Sequence, residues 1–162
     1  MRFEHLVQVN DPLQPLLTEV SRAQLWRGLL RRAERPAEFI LGLAGATIDE
    51  RSVETGRVVL ARTLDFGSFR VRDRVLLIGD GSSVTDIEAG AGHAAGRLTI
   101  HIEEPQPGSL FLRFVYEYGE TGESGDTDAD TVTRRLREQA YRSADIDTVW
   151  RIRELVERGE LG

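Results

Sequence analysis

Cysteine is absent from this chain of 162 residues, which excludes disulfides, thiolate metal ligands and a cysteine nucleophile and fits a reducing compartment. Lysine is absent too: all 21 basic residues are arginine, so Schiff-base chemistry through a lysine is excluded. The three histidines lack i, i+4 or close carboxylate–histidine spacing, and no metal site is expected. Positive charge is not in excess. A formal charge of −6 and a pI near 5.2 argue against nucleic acid or an anionic membrane as partner. No apolar run approaches transmembrane length, and Met1 to Gln8 holds no apolar signal core. The expectation is a soluble, cytoplasmic protein folded as one domain over 1–162. Hydrophobic residues at 40% and charged residues at 30% are a globular composition.

Alternation organises much of what is present. Phe3, His5, Val7 and Val9 share one face of a first strand, which ends at Asn10-Asp11-Pro12. Ser21 and Gln24 have capping-box spacing, and Leu25, Trp26, Leu29, Leu30 and Ala33 follow at helical spacing. Pro36 ends that helix and opens a second short one over 37–41, broken by Gly42 and Gly45. Six strands are predicted over 46–52, 57–66, 69–78, 83–89, 97–103 and 109–118. Turn residues separate them, and links this short favour antiparallel pairing. The Gly-, Glu-, Ser- and Thr-rich stretch 119–126 reads as a surface loop. A long helix then runs from a cap at Thr127 and Asp130 to Gly159, about 45 Å at 1.5 Å per residue. Val132, Leu136, Ala140, Ala144, Thr148, Ile152 and Val156 mark a winding stripe along it. The fold class is therefore α+β. A curved seven-stranded antiparallel sheet wraps a long C-terminal helix, with two short helices after the first strand, in a helix-grip arrangement.

Several phrases carry a family resemblance. They are Phe3-Glu4-His5 with Val9-Asn10, Gln24-Leu25-Trp26, the run from Arg62 to Gly67, and Arg72-Asp73-Arg74-Val75. The others are Ile102 to Pro105, Gly108 to Phe114, Ala144 to Val149 and Ile152 to Leu155. In these the chain resembles the AtaL-like family, named for an acetylaranotin biosynthesis cluster protein, within the SRPBCC (START-like) superfamily. The resemblance spans nearly the whole chain. It implies a deep pocket for hydrophobic small molecules, in a superfamily where some members are cyclases, aromatases or hydrolases and others only bind. It brings no catalytic set across. The Gly- and Ala-rich segment 79–96 fits the pattern least.

The candidate site residues come from strand parity and helix angle. With Gly67-Ser68 as the turn, Phe66 faces Phe69, Leu64 faces Val71, Leu60 faces Val75 and Arg62 faces Asp73. The last pair then lies on the apolar face, toward the long helix, either as a structural ion pair or as a pair orienting a ligand's carbonyl, carboxylate or phenol. Leu64 and Val71 flank it. His5 is a core histidine or a general acid–base group. Tyr116 shares parity with Leu110, Leu112 and Phe114, and a one-residue slip would turn Phe111, Arg113 and Val115 inward instead. Ala140, Ser143 and Ala144 leave volume under the long helix that either a ligand fills or a close approach of the sheet takes up, and Asp147 and Trp150 line its far end or, for Asp147, face solvent.

Two motifs are set aside. Gly90 to Ala95 matches a dinucleotide fingerprint but precedes a strand, so no cofactor is expected. Asp126, Asp128 and Asp130 begin like a calcium loop, but Thr131 and Arg137 stand where glycine and glutamate are needed.

The leading expectation is a cavity between sheet and C-terminal helix that binds a hydrophobic, aromatic or polyketide-like molecule in a secondary-metabolite pathway. A cofactor-free cyclase, dehydratase or hydrolase acting on such a molecule is the alternative, and a protein–protein interaction domain is the third. Both monomer and homodimer are open.

Overall fold

The computed structural model describes residues 1–79, 81–90, 93–119 and 128–162, and the side chains of all of these except 128–130. The expected 119–126 loop beyond Gly119, Thr127, the centre of the Gly90–Ala95 motif and Asp126 lie outside the described residues, as do the side chains of Asp128 and Asp130 on which the expected cap and the calcium-like run depend.

The chain forms β1 (Arg2–Gln8), α1 (Arg22–Glu34), a 3-10 turn (Pro36–Glu38), β2 (Gly45–Glu54), β3 (Arg57–Asp65), β4 (Arg70–Ile78), β5 (Ser82–Ile87), β6 (Gly96–Gln106), β7 (Ser109–Tyr118) and α2 (Asp128–Glu157). Strands β2 to β7 pair in sequence order as a meander, and β1 pairs with β7, giving one antiparallel sheet of seven strands in the order β1-β7-β6-β5-β4-β3-β2. The second short helix shrinks to the 3-10 turn. Pro36 presets its start, and by Gly42, at φ +83°, the backbone has left helical geometry.

Local chemistry sets the helix ends. Ser21 accepts from the Gln24 backbone N–H while the Gln24 side chain accepts from the Ser21 N–H, closing the capping box of α1. After α2, Gly159 takes φ +72° and the Glu160 N–H returns to the Leu155 carbonyl, which buries Leu161. The β3–β4 hairpin has the register expected of it, with Leu60 opposite Val75, Arg62 opposite Asp73 and Leu64 opposite Val71. Phe66 donates to the Phe69 carbonyl across the turn, where Gly67 has φ +89°.

Helix α2 departs from the expected stripe. Its buried positions are Asp145, Thr148, Val149, Ile152, Arg153 and Leu155, with Tyr141 and Val156 half-buried. Those steps of three and four keep one face inward, whereas repeated steps of four advance about 40° each and turn away. Val132 and Leu136 are therefore exposed, and so are Ala140, Ser143 and Ala144, so the expected room beneath small side chains is not there.

Among the described residues, apolar packing falls into three clusters. The largest joins β1, β6 and β7 to α1 and the C-terminal half of α2 through Phe3, Leu29, Ile100, Leu112, Phe114 and Ile152. A second joins Leu60, Val75 and Leu77 to Ala33 of α1. The third holds Leu64 and Val71 against Leu43.

Candidate functional site

A polar seam separates the three clusters. Strand register lines up rows on the inner face of the sheet. Phe3, Tyr116, Leu98, Thr85, Val75 and Leu60 make one row, and His5, Phe114, Ile100, Ser83 and Leu77 the next. On the other side run Tyr118, Gly96, Ile87, Asp73 and Arg62. Arg62, Asp73, Ser83, Thr85, Tyr116 and Asp145 are all buried, in an interior where polarity is costly unless satisfied.

At one end of the seam Arg62 grips Asp73. Its Nε and Nη2 reach the two carboxylate oxygens at 2.9 and 2.6 Å, and its Nη1 donates to the Ala33 carbonyl at 2.7 Å. The pair faces α1 rather than the expected long helix, because α2 lies along β1 and β7, where Tyr141 stacks on Tyr116 with centroids 4.0 Å apart. Leu64 and Val71 adjoin the pair along their strands.

At the other end, Asp145 of α2 receives the Tyr116 hydroxyl on Oδ1, and His5 Nδ1 lies 3.2 Å from its Oδ2. Burial pushes the Asp145 carboxyl up to about 6, against hydrogen bonds from Tyr116 and His5 that favour the charged form. Burial, then the neighbouring carboxylate, raises the Tyr116 phenol well above its ordinary range. A carboxyl titrating near neutrality beside a phenol and an imidazole can give and take protons.

Between the two ends lies Arg32, from the last turn of α1. Its Nε is sealed from solvent without a hydrogen-bond partner, and desolvation depresses the guanidinium's pKa. Arg32 and Arg62 share a narrow pocket with Leu29, Ala33, Val75, Ser83, Thr85 and Ile100 that admits no water-sized sphere.

The structure thus brings together His5 and Tyr116 at one end and Arg62, Asp73, Leu64 and Val71 at the other. It leaves Ala140, Ser143 and Ala144 on the exposed side of α2. Asp147 and Trp150 line a separate outer groove of about 680 Å³ between α2 and residues 37–43. Arg32 and Asp145 escaped the sequence reading. Both are in phase with apolar neighbours: Arg32 is three residues after Leu29 and seven after Leu25, and Asp145 is four after Tyr141 and four before Val149.

No curated protein matches the chain. Solved structures do, at low identity. The di-domain aromatase/cyclase StfQ of the steffimycin biosynthetic pathway is 13% identical with a TM-score of 0.66, covering 97% of this chain and 51% of that one. The Zhui aromatase/cyclase from Streptomyces sp. R1128 is 13% identical with a TM-score of 0.60, covering 98% and 94%. Ara h 8.0201 is 13% identical with a TM-score of 0.61, covering 98% of each. These show a shared fold. The family of acetylaranotin biosynthesis cluster protein L matches residues 7–159. With that match over nearly the whole chain, the chain belongs to the AtaL family.

Proposed function

We propose that the protein binds a hydrophobic small molecule, aromatic or polyketide-like, between the inner face of the sheet and its two helices, within a natural-product pathway in the cytoplasm. The observation that supports this is the polar seam. A sheet packed on helices gains little from buried arginines and carboxylates, while a ligand site needs a few such groups in an apolar wall. The family's namesake belongs to a biosynthesis cluster, and two of the three structural neighbours named above are aromatase/cyclases. Because the pocket around Arg32 is narrow, binding is coupled to an outward shift of α1 or α2. Native mass spectrometry of the protein purified from its own host tests this. A bound small molecule released on denaturation is expected; a bare chain that no aromatic compound stabilises against heat would sink the reading.

The Asp145 cluster favours a second reading, a cofactor-free enzyme such as a cyclase, dehydratase or hydrolase. Asp145 as carboxylate takes a proton from a carbon next to a ligand carbonyl, and Tyr116 or His5 donates to the oxygen that gains charge. Turnover of the host-derived ligand should then follow an apparent pKa near 6. Asp145→Asn should abolish it, and a variant that keeps full turnover contradicts the enzyme reading.

A further inference from the structure

Among the described residues, Arg32 is the one charge in the seam whose side chain has no hydrogen-bond or ion-pair partner. Arg62 donates three hydrogen bonds and occupies both oxygens of Asp73. Both oxygens of Asp145 are taken by Tyr116 and His5. The Arg32 side chain makes no hydrogen bond or ion pair among the described residues, although Asp145 and Asp73 are near enough to act on its charge. Arg32 as a whole is half-buried, so it is the desolvated Nε edge that costs the fold, and the planar fork matches a carboxylate or a delocalised oxyanion.

We infer that Arg32 is the anion-recognising residue of the interior, and that the protein's ligand carries a carboxylate, enolate or phenolate oxygen on an apolar or aromatic body. This rests on the interior being a ligand site. The bound anion supplies the partner that Arg32 lacks. It sits between the Arg62–Asp73 fork and the Asp145–Tyr116–His5 cluster, which places the reacting part of an enolisable ligand beside a carboxyl that exchanges protons.

The probes are 6-hydroxy-2-naphthoate and its neutral isostere 6-hydroxy-2-naphthamide, titrated calorimetrically and located by NMR shift changes. A charge-assisted hydrogen bond corresponds to about a ten- to hundredfold change in affinity. The naphthoate should bind the wild type more tightly by that factor. Arg32→Met should remove the preference while leaving naphthamide affinity within about twofold, and Arg32→Lys should restore part of it. The melting temperature of Arg32→Met should not fall, because no side-chain hydrogen bond is lost and the desolvated Nε is relieved. Equal affinity for the two probes in the wild type overturns the assignment of Arg32 while leaving the pocket standing. So does a preference that survives in both variants, or a marked loss of stability in Arg32→Met, which would make Arg32 a structural counter-ion. Binding of neither probe, or shifts confined to the outer groove at Trp150, overturns the pocket reading and this inference with it.

Discussion

Arg62 and Asp73 stand directly opposite each other across the β3–β4 hairpin and close a two-bond fork, buried and capped by the Ala33 carbonyl. Removing one partner leaves the other charged in a dry site. Asp73→Asn should cost about 3–5 kcal/mol in urea denaturation, and Arg62→Met combined with Asp73→Leu should recover most of it. Single-mutant effects that add to the double within about 0.3 kcal/mol would mean the pair carries no coupling.

Asp145 should make stability fall as pH rises. Its carboxyl titrates at about 6 in the fold against 3.8 unfolded, so the folded state holds the proton more tightly. That contribution is complete below pH 3.8 and is lost as pH passes 6. Relative to Asp145→Asn, the wild type should lose about 2–3 kcal/mol between pH 4 and pH 8. A difference of opposite sign contradicts the burial of this carboxyl.

Tyr116→Phe removes a hydrogen bond that favours ionised Asp145. Carbon-13 NMR of the carboxyl should place its midpoint above that of the wild type. A downward shift would mean the phenol does not hold this carboxylate.

The inward face of α2 can be tested by packing. Ile152 is fully buried, and Ile152→Ala should cost about 2–5 kcal/mol. Gly28 lets α1 approach it: a Cβ there would stand 2.8 Å from Ile152 Cγ1, so Gly28→Ala should cost about 1–3 kcal/mol. Ala140→Glu and Ser143→Glu should stay within about 0.5 kcal/mol of wild type. Large losses from these last two would put that side of the helix against the sheet.

The sheet was legible because period-two alternation and turn residues act locally. The Gly67–Ser68 turn alone placed Arg62 opposite Asp73. Parity grouped Tyr116 with Leu110, Leu112 and Phe114, but which parity faces inward was open until the pairing of β7 with β6 and β1 fixed it. Which helix covers the fork was not legible, since that depends on how α1 and α2 divide the sheet between them. Ala140 and Ala144 were misplaced because small apolar residues four apart resemble a packed face even when they point to solvent. Arg32 and Asp145 were missed for the converse reason. A charged residue on an amphipathic helix ordinarily marks the wet side, and here Asp145 is buried and Arg32 half-buried with its Nε sealed from solvent.

A crystal structure of the protein purified from its host, or grown with 6-hydroxy-2-naphthoate, tests most directly whether the polar seam is a ligand site. The account predicts density for a small molecule with an oxygen on the Arg32 guanidinium, within hydrogen-bond reach of Asp145 or Tyr116. An interior closed in both crystals, with Arg32 paired to Asp145 or Asp73 and no molecule between sheet and helices, would contradict it.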